Sequence, residues 1–174
     1  MRTDYSKLLL LSLLGLMFLA PCTKAQTVEA NFFDDKVSVS VPAGWMADAH
    51  YKFRRIGLWA NSADSAQHEG AIMVGLTSKT NLNITNEMTR DFESMRFLYP
   101  NATRGTFKAE HPYYTPYSIA ISSDDKIRKI DVYLDPGKES NFFIHLSLDY
   151  TKRTATKEEL ATFLGVIRSA VIVK

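Results

Sequence analysis

Lys36 to Val41 reads K-V-S-V-S-V, so Val37, Val39 and Val41 share one face and Ser38 and Ser40 the other. Strict alternation of this kind predicts a half-buried strand. Val28 to Phe33 precedes it across Asp34-Asp35, which predicts a short N-terminal hairpin, and Pro42-Ala43-Gly44 ends the second strand in a turn. Trp45 follows directly, where a large aromatic covers an end of the core. Ile56 to Ala60 and Ala71 to Thr77 give two more strands, with the polar stretch Asn61 to Gly70 as an exposed loop between them.

The period then changes. From Ile84 the apolar residues fall at Met88, Phe92, Met95 and Leu98, one stripe of an amphipathic helix that Asn83 or Thr85 can cap and Pro100 stops. A short strand near Thr106 leads into a meander. Tyr117, Ile119 and Ile121 form one inward row and Ile130, Val132 and Leu134 the next, alternating with Lys129, Asp131 and Tyr133; Phe142, Ile144, Leu146, Leu148 and Tyr150 form the last. Asp124-Asp125 and Asp135-Pro136-Gly137 supply the turns. Thr156 and Glu159 stand in capping-box spacing before a final helix whose buried stripe is Leu160, Phe163, Leu164, Ile167 and Val171. The order predicts an α+β fold, a mostly antiparallel sheet packed by helices.

The first residues follow a different logic. Arg2 and Lys7 precede an apolar run from Leu8 to Ala20 that Pro21 breaks, and Thr23-Lys24-Ala25 ends on a small residue. This is the layout of a secretory signal peptide, too short for a membrane span of ~20 apolar residues, with cleavage expected after Ala25. Residues 1–25 are thus read as leader and 26–174 as a single domain, secreted or periplasmic. Lipid anchoring through Cys22 is the minority alternative, because Pro21 stands where lipoprotein processing expects Gly, Ala or Ser.

Leader removal changes the charge. The chain's 21 basic and 19 acidic residues include Arg2, Lys7, Lys24 and Asp4, so the remainder carries eighteen of each (21 less 3, 19 less 1) and is formally neutral. Neutrality disfavours binding to nucleic acid, which is expected to be no partner. Cys22 is the single cysteine, so the domain has no disulfide and its stability rests on core burial.

Candidate chemistry is sparse. His50, His68, His111 and His145 are scattered without metal-ligand spacing, and surface histidine is the expectation for each. His145, Ser147 and Asp149 share a strand face, but alternate residues on a strand stand ~7 Å apart, too far for a direct catalytic triad; the row is read as an ordinary polar face. Glycines 57, 70, 75, 105, 137 and 165 occur singly, so no phosphate cradle and no cofactor are expected. Lys52-Phe53-Arg54-Arg55 and Lys126-Ile127-Arg128-Lys129 are basic clusters expected to be solvated. The proline-stiffened stretch His111-Pro112-Tyr113-Tyr114-Thr115-Pro116-Tyr117 offers amphipathic contact area, and His111, Tyr113 and Tyr114 are the candidate binding residues. Against that reading, Tyr117 serves as core while Tyr113 and Tyr114 pack at a proline-protected sheet edge.

Lys36 to Trp45, with its Pro-Ala-Gly-Trp turn, and the closing helix Leu160 to Ser169 resemble the PsbP-like and Mog-type α/β/α sandwich families, which include DcrB-like bacterial envelope proteins. The resemblance covers the whole chain after the leader. It implies a layered α/β/α sandwich and accessory or binding roles such as a lumenal subunit of a photosynthetic complex or a partner of a small GTPase. It carries over no site residue. The expected role is therefore a non-catalytic envelope or periplasmic accessory protein, monomeric or weakly oligomeric, with another envelope protein as partner. Two alternatives stand beside it. One is an exported hydrolase in which two or more of His50, His68, His111, Asp64 and Glu69 converge in a deep pocket; the other is a small-molecule or lipid carrier with a cavity behind Trp59 and the Phe142 row.

Overall fold

The computed structural model of the protein describes residues 26–32, 35–51, 55–60, 70–80, 83–150 and 153–173. The N-terminal hairpin is β1 (Gln26–Phe32) and β2 (Asp35–Val41), paired antiparallel. With β10 (Val171–Val173) on the other side of β2 it makes a three-stranded sheet. The remaining strands are β3 (Trp45–Tyr51), β4 (Arg55–Ala60), β5 (Ile72–Ser78), β6 (Thr103–Gly105), β7 (Thr115–Ser123), β8 (Lys126–Asp135) and β9 (Phe142–Asp149). They form a second, seven-stranded sheet in the order β3-β4-β5-β9-β8-β7-β6. All described pairings are antiparallel. Asp124 and Asp125 both have positive φ (53° and 57°) and join β7 to β8, the turn geometry that matches the twist of a two-residue hairpin.

Strand register builds the main core. Leu58 faces Ile72, Leu148 and Ile130 across four strands, and Ile56, Val74, Leu146 and Val132 form the next row. Every one of these is fully buried. Val37, Val39 and Val41 of β2 cover them, with Phe163, Val166 and Ile167 of helix α2 (Lys157–Ser169). Each large side chain so enclosed contributes about 1.5–3 kcal/mol. The opposite face of the seven-stranded sheet carries a smaller core of Ile119, Ile121, Tyr133 and Phe143, covered by Met88, Phe92 and Met95 of helix α1 (Ile84–Leu98). The layers are thus helix, large sheet, then small sheet with helix.

Local chemistry sets the helix ends. Asn83 Oδ1 accepts from the Thr85 and Asn86 N–H groups and caps α1. At α2 the capping box is complete, with Glu159 also holding Arg153 at 2.5 Å.

Several expectations need correction. Val171 is not on the helix stripe: α2 ends at Ser169, and the β-branched run Val171-Ile172-Val173 adds to the free edge of β2, where extended backbone suits such residues better than helix does. Trp45 follows the Ala43-Gly44 turn and packs against the main core as expected, but it also opens a strand, β3, that the pattern did not predict. Tyr117 is 36% exposed rather than core, at the end of the row whose companions Ile119 and Ile121 belong to the core under α1. The expected leader, with Ala25 and Cys22, and residues 61–69, expected to form a loop, lie outside the described residues. Among the described residues no helix is long and apolar enough to cross a membrane.

Candidate functional site: a buried charge cluster beneath helix α1

Period-two alternation sends Ile130, Val132 and Leu134 of β8 into the main core, and so turns Lys129, Asp131 and Tyr133 to the other face. On β9 the same alternation turns His145, Ser147 and Asp149 to that face. The register sets Lys129 opposite Asp149, Asp131 opposite Ser147 and Tyr133 opposite His145. Asp91 of α1 comes down onto the patch from above.

Asp131 is fully buried at its centre. His145 Nε2 lies 2.9 Å from its Oδ1, and Lys129 Nζ lies 2.9 Å from its Oδ2. The His145 contact is diagonal, within reach of a long side chain on a neighbouring strand. Lys129 Nζ is also 4.0 Å from Asp91, and the Tyr133 hydroxyl donates to Asp91 Oδ2 at 2.7 Å. The Tyr133 and His145 rings stack in parallel, with centroids 4.3 Å apart.

Burial and charge pull against each other here. Burial opposes ionisation of Asp131, but the hydrogen bond and charge of His145, joined by Lys129, outweigh it and hold the carboxyl below its usual range. Burial likewise opposes the Lys129 ammonium, and Asp131, Asp91 and Asp149 together prevail and raise its pKa. The Tyr133 hydroxyl is pushed up by burial and then by Asp91. Asp149 goes the other way: burial raises it from 3.8 to about 6, Lys129 offsets part of this, and Asp131 adds to it. Its Oδ1 is buried with no hydrogen-bond partner.

Asp91, Asp131 and His145 each present a ligand atom, all within 4.8 Å of one another, which is the outline of a three-ligand cation site. The Lys129 ammonium already occupies the cationic position against Asp131 and Asp91. The His145–Asp131 pair is the orienting half of an acid–base relay. Ser147 sits opposite Asp131, two positions from His145 and so ~7 Å along the strand, which leaves the pair without a nucleophile from that row. The expected polar face is therefore a buried cluster in which Asp131 is paired twice and Asp149 is left short, rather than a solvated row.

No protein-family model and no curated protein matches the chain. Among solved structures it is similar to the solution structure of cyanobacterial PsbP (CyanoP) from Synechocystis sp. PCC 6803, at 12% identity and a TM-score of 0.50, over 88% of this chain and 96% of that one. The chain has a PsbP-like fold. At that identity the likeness carries architecture and assigns no residue.

Within the PsbP-like fold the other predicted residues separate. His111 Nδ1 accepts the N–H groups of Tyr113 and Tyr114, at 3.2 and 3.0 Å, and its Nε2 meets the Ala170 carbonyl at 3.0 Å. Tyr114 is half-buried and its hydroxyl accepts from the Ile172 N–H. Tyr113 alone of the three points outward, 79% exposed. His50 is exposed, with its own backbone N–H bonded to Asp48, while Asp64, His68 and Glu69 lie outside the described residues.

The second basic cluster is not solvated as expected. Arg128 is buried over the Tyr99 ring, 4.9 Å from its centre, and Lys129 belongs to the charge cluster. Of the first cluster, Lys52 to Arg54 lie outside the described residues and Arg55 is exposed. A cleft of about 590 Å³ opens at the Pro42-Ala43-Gly44-Trp45 turn against Thr162 and Gly165 of α2.

No local signal in the sequence marks the cluster. Lys129, Asp131 and Asp149 occupy the non-core phase of two adjacent strands, a position that ordinary solvent-facing residues share; only the placement of α1 over them distinguishes the two cases.

Proposed function

We propose that the protein is an exported, non-catalytic accessory protein of the cell envelope or periplasm, which binds a protein partner at the outer face of the His111–Tyr117 segment. One observation carries this reading: Tyr113 is 79% exposed, its ring edge-on to His111, on a segment whose backbone His111 anchors through two hydrogen bonds and Tyr114 ties to Ile172. A rigid, exposed tyrosine gives a large amphipathic contact at low entropic cost. The leader pattern, the neutral charge of the chain beyond it and the PsbP-like fold support the same role.

Affinity capture from envelope extracts of the native host tests it, with wild-type protein beside Tyr113→Ala. Tyr114 is unsuitable for this purpose because it holds the Ile172 backbone. The expected result is a specific partner recovered by wild type and lost or weakened at least tenfold by Tyr113→Ala. An identical set from both proteins would sink the assignment of the surface. N-terminal sequencing of the same preparation checks export, with Gln26 as the expected first residue.

A carrier role has one observation in its favour. The cleft at Trp45 is lined mostly by apolar groups, with Gln26, Ser40 and Thr162 among its polar side chains, the composition of a small-ligand site. Native mass spectrometry of protein purified from its host separates the two readings by whether a protein or a small molecule is retained.

A further inference from the structure

Strand β10 is three residues long and has a ladder partner, β2, on one side. Its other edge is closed by the segment that enters β7. The Ala170 carbonyl, at the end of α2, takes the Nε2–H of His111, and the Ile172 N–H donates to the Tyr114 hydroxyl at 3.3 Å. The His111 and Tyr114 rings stack 4.6 Å apart and 7° from parallel, so the two contacts move as one unit.

The partners fix the state of the ring. Nδ1 faces two backbone N–H groups, and both are donors, so Nδ1 accepts and carries no proton. Nε2 faces a carbonyl, so it donates. Neutral imidazole in the Nε2–H tautomer satisfies all three contacts. Imidazolium satisfies one, because its second N–H would point at two other donors and the ring would have to leave its stack.

We propose that His111 is a protonation-released latch on the C-terminal strand: neutral, it closes the outer edge of β10; charged, it lets go of Tyr113, Tyr114 and with them Ile172. This does not depend on what the protein binds.

The surroundings do not rescue the charged form. On its own segment Glu110 lies beside His111, but that carboxylate is shared between Lys108 at 3.5 Å and Arg168 of α2 at 3.8 Å. From β2, Lys36 stands opposite Val173 and is engaged with Glu29. The Ala170 carbonyl favours imidazolium, but burial disfavours it more, and the net effect holds the pKa below 6.5. Loss of acceptance at Nδ1 acts in the same direction.

Amide hydrogen exchange of the full chain, read residue by residue and corrected for intrinsic rates, tests the latch alongside NMR titration of the imidazoles. Opening is linked to protonation between the ordinary imidazole pKa of 6.5 and the lower pKa of the closed latch, and across that window one proton opens it up to ~10-fold further per pH unit. Protection at Ile172 should therefore fall between pH 7.5 and the acid side of the titration by about tenfold for each unit that the measured His111 pKa lies below 6.5, with β2–β1 amides unchanged. At neutral pH the imidazole should show the Nε2–H tautomer. His111→Asn supplies the control, since an Asn oxygen accepts from the same two N–H groups in an Asx turn and does not titrate. Ile172 protection in that variant should be flat with pH. The proposal is overturned if His111 is protonated at Nδ1 at neutral pH, or titrates at or above 6.5. It is equally overturned if His111 stays neutral until the protein unfolds, if Ile172 protection ignores the titration, or if the pH response survives His111→Asn.

Discussion

Replacing Asp149 by Asn should stabilise the protein at high pH and do little at low pH. The cluster holds three carboxylates, Asp91, Asp131 and Asp149, against the Lys129 ammonium and the His145 ring. Asp131 takes the close contacts to both. Asp149 is left with one buried oxygen unpartnered and a like-charged neighbour, and its carboxyl therefore favours the neutral form up to about pH 6. A carboxyl moved from 3.8 to about 6 on folding corresponds to about 3 kcal/mol between its two protonation states.

The folded pKa lies above the unfolded one, so this contribution is complete below pH 3.8 and disappears as pH rises through about 6. Between pH 4.5 and 8 wild type should lose about 2 kcal/mol from this group by linkage. Asn has the same shape and no titration. Urea denaturation at the two pH values is the assay, and the quantity of interest is the change in the mutational effect between them. The expected change is about 2 kcal/mol in favour of the variant at pH 8, or roughly 4–8 °C in Tm for a chain of this size. Asp131 does not confuse the comparison, since its depressed pKa places its own stability loss below pH 3.8. Equal mutational effects at both pH values, or a variant that loses stability specifically at pH 8, would refute the account of the cluster.

Two further substitutions probe the frame. Gly165 lies inside α2 and a Cβ added there meets nothing within 4 Å, so Gly165→Ala should raise stability by about 0.5–1 kcal/mol through helix propensity alone, measured by denaturant midpoint. If the Trp45 cleft holds a ligand, the same change should weaken retention of that ligand in native mass spectrometry. Thr156→Ala removes half of the capping box of α2 and should cost about 1 kcal/mol; its partner Glu159 is drawn down to about 2 by Arg153, opposed by burial and aided by Thr156, so the stability it confers is present above pH 4.5 and lost as pH falls toward 2.

The main core was legible because its signal is local. Val37, Val39 and Val41 alternate strictly, the Ile144-Leu146-Leu148 row does the same, and the α1 stripe changes period where the helix starts. Capping chemistry at Asn83 and Thr156 is equally short-range, as is the Asp124-Asp125 turn. Strand β3 escaped because Trp45-Met46-Ala47-Asp48-Ala49-His50-Tyr51 has no consistent apolar phase: it is an edge strand with a bulge between Asp48 and Tyr51, and edge position relaxes the pattern. Strand β10 escaped for the opposite reason. Val171-Ile172-Val173 continues the helix pattern in composition, and only the availability of an unpaired edge on β2, 133 residues away between Val171 and Ser38, makes extended backbone the better state.

The charge cluster marks the limit of reading along a chain. His145, Ser147 and Asp149 lie in one row, and distance along the strand correctly excludes a triad among them. The interactions that matter run across strands, where neighbours stand about 5 Å apart rather than ~7 Å, and they join Asp131 to His145 and Lys129 through a register that no single segment encodes. A polar residue in the outward phase is solvated unless something covers it. Here α1 does, because Met88, Phe92 and Met95 need the apolar patch made by Ile119, Ile121 and Phe143, and in seating there the helix carries Asp91 over Lys129 and Tyr133. The burial of the cluster is thus a consequence of apolar packing beside it, and the unequal sharing of Lys129 and His145 among three acids leaves Asp149 as the group whose titration reports whether that packing is as described.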